Sequence, residues 1–237
     1  LAYIVFVQYF VLLGSLERFA IMTTAALGHV YLVDDDPSIR RALKGSLTEL
    51  GYIVNEYDSA ESFLSDAVPT SPAVILLDMR MPKQSGIEMQ ATLLKHGWQT
   101  PVIFISGESL SPQIVTAMKQ GAVDFLFKPF SMQDLVHAIQ SGITLDRQIH
   151  AQLTRLTTAK ARLCLLTPRE TEVCMEMLSG RSNKEIAKLN GSAAATIKLH
   201  RSRVLAKMQV KSLSELLTLC EGVNLHAKDP LAPQGNN

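Results

Sequence analysis

The chain has 237 residues, of which 47% are apolar and 19% charged, with a formal net charge of +1. That length allows two ordinary domains, and the composition suits a soluble globular protein. The three cysteines, Cys164, Cys174 and Cys220, form no CxxC and have no histidine pair nearby. This excludes a disulfide frame or a zinc site and points to thiols in a reducing compartment. The small net charge conceals an asymmetry. Residues 27–145 carry eight Lys/Arg against thirteen Asp/Glu, a net of −5, whereas residues 161–220 carry ten against five, a net of +5. An acidic first part and a basic second part imply two functions, the second facing a polyanion.

The first stretch, LAYIVFVQYFVLLGSL, has no charge until Glu17 and Arg18. Taken literally it is a short membrane-spanning or signal-like segment. It lacks the basic start of a secretory signal, and Met22 opens MTTAALGHVYLV, an ordinary beginning for a globular domain. Residues 1–26 are therefore expected to be a spurious or unstructured apolar extension, with a membrane anchor as the competing reading.

From residue 29 strand and helix patterns alternate. HVYLV (29–33) is β-rich. PSIRRALKGSLTELG (37–51) sets Ile39, Leu43, Leu47 and Leu50 on one helical face, with Asp36 as N-cap, Pro37 at the first helical position and Gly51 as the stop. Strand-like YIVNEY, a helix around SAESFLSDA, strand AVILLD and a helix through GIEMQATLLKHG follow. Then come strand PVIFIS, helix PQIVTAMKQG, strand DFLFK and helix SMQDLVHAIQSG. The third and fourth strands are apolar throughout, as in a parallel sheet covered on both faces. Residues 27–145 are thus expected to form an α/β doubly wound domain with a five-stranded parallel sheet.

In such a sheet the functional crevice lies beyond the carboxyl ends of the strands. Strand 1 runs into Asp34, Asp35 and Asp36; strand 3 ends on Asp78, strand 4 on Ser106 and strand 5 on Lys128-Pro129. Taken singly, the acidic run reads best as a solvated helix cap, Asp78 as a turn residue and Lys128-Pro129 as a loop. Their convergence on one edge carries the reading. Carboxylates from two strands make a hard oxygen site for Mg²⁺, and a lysine and a hydroxyl facing it suit phosphoryl oxygens. Asp78 is expected to be the nucleophile that takes a phosphoryl group.

These motifs resemble those of response-regulator receiver domains over about half the chain. The resemblance puts the family's acidic pair on Asp34 and Asp35, its phosphoacceptor on Asp78, its hydroxyl residue on Ser106 and its lysine on Lys128, followed by a proline whose preceding bond is usually cis. It also implies that the Arg80 backbone carbonyl joins Asp34, Asp35 and Asp78 around the metal, and that Ser106 and Phe125 form the switch. Ser stands where Thr is commoner, and Phe where Tyr is common.

Residues 146–163 read as a polar helical linker continuous with the helix before it. The basic part begins at LTPRETEVCMEMLSG, where Thr167 caps a helix with Pro168 at its start and Glu170 at capping-box spacing. A short helix at about 183–189, a turn, and a long helix at about 193–208 follow. On the long helix Ile197, Val204 and Met208 share one face, and Lys198, Leu199, Ser202, Arg203 and Ala206 the opposite one. A helix-turn-helix offers its second helix to the major groove in this way. Thr196, Lys198, Leu199, Arg201, Ser202 and Arg203 are the expected DNA contacts, with Arg201 on the flank suited to phosphate. The alternative is a helical interaction module with a solvated basic face.

The order LTPRE, SNKEIA, TIKLHR, KM resembles the LuxR-type helix-turn-helix domain of NarL/FixJ regulators, placed here at residues 164–228 ahead of a disordered tail, 229–237. The turn departs from that family. A leucine four positions beyond Ile186, an apolar residue and a Ser/Thr cap are usual, where this chain has Asn190, Ser192 and Ala193. Either the turn is shifted by one, with Leu189 and Ser192 serving, or it packs less well.

The combined expectation is a cytoplasmic, phosphorylation-controlled transcription regulator. Its partners are a sensor histidine kinase, double-stranded DNA, RNA polymerase and, when phosphorylated, a second copy of itself, with Mg²⁺ as cofactor and no membrane. It is not a turnover enzyme. A phosphatase or phosphotransfer enzyme on the same fold ranks behind, since it needs a further acid or base in the crevice.

Overall fold

Short apolar strands separated by amphipathic helices dictate the first unit. It contains β1 (His29–Val33), α1 (Pro37–Glu49), β2 (Ile53–Tyr57), α2 (Ala60–Asp66), β3 (Ala73–Asp78), α3 (Gly86–Lys95), β4 (Val102–Ser106), α4 (Pro112–Lys119), β5 (Asp124–Phe127) and α5 (Met132–Leu163). The structure is a computed structural model and describes residues 26–107 and 112–223. The expectations for residues 1–25 and for the tail 229–237 lie outside the described residues. Among the described residues no helix is long and apolar enough to cross a membrane.

All strand pairs are parallel, in the order β2-β1-β3-β4-β5. Every residue of β3 and β4 is buried, because helices cover both faces. The two-residue period of the strands splits the core. Tyr31, Val33, Ile75, Leu77 and Phe104 pack with Phe63 of α2 and Met89 and Leu93 of α3. Val30, Leu32, Val74, Leu76, Ile103 and Ile105 pack with Leu43 and Leu47 of α1 and Leu135, Ile139 and Ile143 of α5. Trp98 joins the first cluster against Phe63, ring centroids 5.2 Å apart.

Asp36 caps α1 as expected, its Oδ1 accepting the Ser38 amide at 2.7 Å. Leu43 and Leu47 are buried, but Leu50 is 46% exposed rather than part of the core face. It is the C-cap, and the chain turns away at Gly51 (φ 93°) before Leu50 can reach the sheet. The Lys128–Pro129 bond is cis, and so is Ser71–Pro72.

Helix α5 runs unbroken from Met132 to Leu163, and the chain divides into two units between Ile149 and His150. The segment read as a linker is therefore divided between them. Asp146 is buried in the first unit, its Oδ2 accepting Ser71 Oγ at 2.7 Å and the Ala73 amide at 2.9 Å. In the second unit Arg155 pairs with Glu221 at 2.7 Å, and Arg162 donates to the Met208 carbonyl at 2.8 Å.

The second unit continues with α6 (Pro168–Leu178), α7 (Asn183–Leu189), α8 (Ala194–Lys207) and α9 (Leu213–Cys220). Its core is Val173, Cys174, Met177, Ile186, Ile197, Val204, Met208 and Leu216. The expected capping box at Thr167 and Glu170 is present. Burial pushes the Cys174 thiol up to about 12, with Cys220 beside it adding to the shift, so Cys174 serves as an apolar core residue.

Candidate functional sites: an acidic cluster at the sheet edge and a basic helix

Parallel strands bring the residues after β1, β3, β4 and β5 to one edge, as the sheet register requires. Lys128 sits just beyond β5 and binds two of the acids at once. Its Nζ lies 2.7 Å from Asp78 Oδ1 and 3.0 Å from Asp34 Oδ2. Backbone amides take the remaining carboxylate oxygens: Arg80 N donates to Asp78 Oδ2 at 2.7 Å, and Asp36 N to Asp34 Oδ1 at 2.8 Å. The Ser106 side chain is buried at the end of β4, and its carbonyl accepts the Lys128 amide at 2.7 Å.

The three acids after β1 have separate positions. Asp34 is buried on the lysine, Asp35 is exposed, and Asp36 is engaged as the α1 cap. Successive residues at a strand end point opposite ways, so a single strand delivers only one of two adjacent acids to the buried side. Phe125 is half-buried in β5, its ring stacked on Phe104 at 6.1 Å and tilted against Phe127 at 4.9 Å.

Burial is the largest influence on Asp78 and raises its pKa. Lys128 works against the rise through a hydrogen bond and its charge, and Asp34 adds to it. Burial also opposes the charged form of Lys128, yet its bonds to Asp78 and Asp34 prevail and its pKa is raised.

Among the described residues no three His, Cys, Asp or Glu side chains come together as a metal centre. The donor chemistry nevertheless fits a hard dication. Asp34 and Asp78 already share one cation, and Asp35 and the Arg80 carbonyl offer further oxygens nearby in the chain.

In the second unit α8 buries Ile197 and Val204, with Met208 buried at its C-cap, and exposes Thr196, Lys198, Leu199, Ser202 and Arg203. Leu199 is 51% exposed, an apolar side chain in a basic surface. Arg201 is half-buried and donates to the Arg181 carbonyl at 3.3 Å. The sequence allowed a turn shifted by one before α8. Leu189 does not serve there: it is 59% exposed. Ser192 does not cap α8 either, since its Oγ accepts Arg169 Nη2 at 2.9 Å and donates to the Asn190 carbonyl at 3.2 Å.

Three contacts here have no signal in the sequence pattern. They are Arg169 on Ser192, Arg162 on Met208, and Lys207 on Glu170 at 2.6 Å. Each joins side chains 23 or more residues from their partners, beyond any local spacing rule. The local pattern marks Glu170 only as a capping residue.

Comparison with known proteins places both units. Residues 30–140 match the response regulator receiver domain, and residues 165–220 match the luxR family of bacterial regulatory proteins. The transcriptional regulatory protein FixJ of Bradyrhizobium diazoefficiens is 38% identical over 199 residues, 84% of this chain and 96% of that protein. The response regulator protein TmoT of Ectopseudomonas mendocina is 36% identical over 192 residues, 81% of this chain and 87% of that one. Among solved structures the response regulator StyR superposes with a TM-score of 0.72 at 37% identity, covering 82% of this chain and 98% of StyR. The chain therefore belongs to the response regulators that join a receiver domain to a LuxR-type DNA-binding domain, with FixJ-type transcriptional regulators as its relatives.

Proposed function

We propose that this regulator is switched by phosphorylation of Asp78 from a sensor histidine kinase in the cytoplasm. The observation that carries the reading is the Lys128 ammonium held between the Asp34 and Asp78 carboxylates. An Asp78 oxygen attacks phosphorus as the bond to the phosphohistidine nitrogen breaks, and the imidazole leaves with the electron pair. Asp34, Asp35, Asp78 and the Arg80 carbonyl would hold Mg²⁺, which would supply charge screening between the carboxylates and the incoming phosphoryl group. Lys128 moves its hydrogen bonds from carboxylate to phosphoryl oxygen, and the Ser106 hydroxyl donates to another.

The acyl phosphate adds about two negative charges beside Lys128 and Ser106. Ser106 moves towards them, Phe125 turns inward, and the α4–β5–α5 surface then pairs with a second copy. The dimer presents two α8 helices to the major grooves of an operator with inverted half-sites, from which RNA polymerase is recruited or excluded. Lys198 and Leu199 reach base edges, with Thr196, Ser202 and Arg203 around them. Arg201 reaches phosphate from the flank.

The protein accepts a phosphoryl group rather than turning over a substrate. A hydrolase at this site would need a further acid or base, and Asp36 is committed to capping α1. The test is to incubate the purified protein with acetyl phosphate and Mg²⁺. The expected result is an acid-labile gain of one phosphoryl group and tighter DNA binding, both lost in Asp78→Asn. An adduct persisting at full level in that variant overturns the assignment.

A further inference from the structure

Helix α8 begins without a side-chain cap. Its N-cap is Ala193, in the usual extended conformation, but a methyl group accepts no hydrogen bond. The N-caps at Asp36, Ser59, Ser85, Thr167, Ser182 and Ser212 each accept a backbone amide. The turn leading into α8 also lacks an apolar anchor, since Leu189 is exposed and Gly191 follows at φ 58°. Beyond the backbone bonds of Asn190 and Ser192 to α7, the side-chain support of this turn comes from another helix. Arg169, in the first turn of α6, donates through Nη2 to Ser192 Oγ at 2.9 Å and to the Asn190 carbonyl at 3.3 Å, while its Nη1 pairs with Glu172 at 2.6 Å. A guanidinium is a rigid planar fork, so it fixes direction as well as distance.

We propose that Arg169 is a positioning residue that sets the entry of α8, and through it the sequence preference of the protein, without itself touching DNA. This rests on α8 being the groove-reading helix proposed above. Helix α6 packs on α8 through the shared core of Val173, Met177, Ile197 and Val204. Arg169 therefore references the start of α8 to the rigid part of the domain. Thr196, Lys198 and Leu199 lie within the first two turns after that start. A hydrogen bond to a base edge weakens steeply with misalignment, whereas attraction to phosphate is long-ranged and tolerant of angle. Loosening the turn thus removes discrimination before it removes affinity.

The experiment uses the full-length phosphorylated protein and a duplex enriched from a random-sequence pool by the wild type, with a scrambled duplex of equal length as reference. Arg169→Ala is expected to lower the ratio of enriched to scrambled binding by about five- to tenfold, the scale of one ordinary net hydrogen bond. Binding to the scrambled duplex and its salt slope stay as in the wild type. Arg169→Lys keeps the charge but not the fork and follows Arg169→Ala. Adding Ala193→Ser to Arg169→Ala supplies the missing cap and recovers most of the ratio. Thermal unfolding is followed in parallel, because a merely structural role lowers Tm and leaves the ratio intact well below it. Should Arg169→Ala not fold, Ser192→Ala removes the acceptor alone and carries the same expectation in smaller degree.

Equal weakening on both duplexes with a shallower salt slope overturns the proposal, since that marks a phosphate contact. An unchanged ratio in the folded variant, or a ratio retained by Arg169→Lys, overturns it as well. If the wild type enriches no sequence, the failure belongs to the DNA reading itself and is seen before any variant is made.

Discussion

At the scale of single residues, the acidic cluster carries a cost in stability. Asp78 is buried beside a like charge, and burial raises its pKa. A raised folded-state pKa means the native state binds the proton more tightly than the unfolded chain does. Its contribution is fully present below the unfolded value and is lost as pH rises through the folded one, so at neutral pH the ionised group is a burden. Asp78→Asn is expected to raise the receiver's Tm by about 2–5 °C, the effect of roughly 1 kcal/mol in a domain of this size, while abolishing the adduct. Fluorescence of Trp98, the sole tryptophan and a member of the receiver core, reports the transition; an unchanged or lower Tm contradicts the argument. Glu170 is the opposite case. Its hydrogen bond from Lys207, then the Thr167 amide, holds its pKa at about 2, against an ordinary 4.5. The resulting stability is present above pH 4.5 and fades as the pH falls towards 2. The Tm gap between wild type and Glu170→Gln should therefore be widest near pH 6 and close in acid; a gap independent of pH would refute the linkage. Gln209 closes α8 in the left-handed region at φ 51°, in a turn where its own amide bonds Ala206 O and the Val210 amide bonds Leu205 O. That geometry suits glycine. Gln209→Gly should stabilise the second unit by up to about 1 kcal/mol, the strain of an L side chain there, measured by urea unfolding of helix ellipticity.

At the scale of elements, two helices approach β3 closely enough to need glycine. A Cβ on Gly86, at the start of α3, would lie 2.5 Å from the Asp78 carbonyl oxygen, and one on Gly142 of α5 would lie 2.7 Å from Val74 Cγ2. The first clash is with backbone and cannot be relieved by a side-chain rotation. Gly86→Ala should cost about 1–3 kcal/mol through overpacking. It should also slow phosphorylation from acetyl phosphate, because the displaced segment carries Asp78 and the Arg80 amide bound to it. Stability lost with an unaltered phosphorylation rate would separate the helix start from the site. The elements themselves were legible because their signals are local: unbroken apolar runs in β3 and β4, Asp36 before Pro37, Thr167 three residues ahead of Glu170. The strand ends followed from topology, since a parallel sheet aligns them whatever the loops do. What escaped the sequence depends on partners far along the chain. Asp146 looked like the start of a linker, yet its carboxylate is tied to Ser71 and Ala73, 75 and 73 residues away. Leu50 has the periodicity of a core residue but falls one position beyond its helix. Asp34 and Asp35 are adjacent identical residues, and only the direction of the strand distinguishes the buried one from the exposed one.

At the scale of the whole molecule, the charge asymmetry and the two-unit plan set what phosphorylation can do to DNA binding. The second unit carries a net +5 over residues 161–220, which favours its approach to a polyanion. If phosphorylation acts by pairing two receivers, the gain is one of multivalency: the second α8 binds as an intramolecular event at high effective concentration. That gain exists only on DNA offering two correctly spaced half-sites, one helical turn apart or a multiple of it. A single half-site has nothing for the second copy to hold. Treatment with acetyl phosphate and Mg²⁺ should therefore tighten binding to a two-half-site duplex by about tenfold or more, within the ~10²–10⁴ range that linked binding reaches. A duplex with one half-site scrambled should change by less than about twofold, the two affinities being followed by anisotropy at ~0.15 M salt, where exposed charges are screened beyond about 8 Å. Asp78→Asn should show the weaker affinity on both duplexes, with or without phosphodonor. Moving the half-sites apart by half a helical turn should remove the gain, because the two-fold axis then places the helices on opposite sides of the duplex. Equal tightening on the single half-site would show that phosphorylation acts within one chain, by altering α8 or its access, and would exclude pairing of receivers as the source of control.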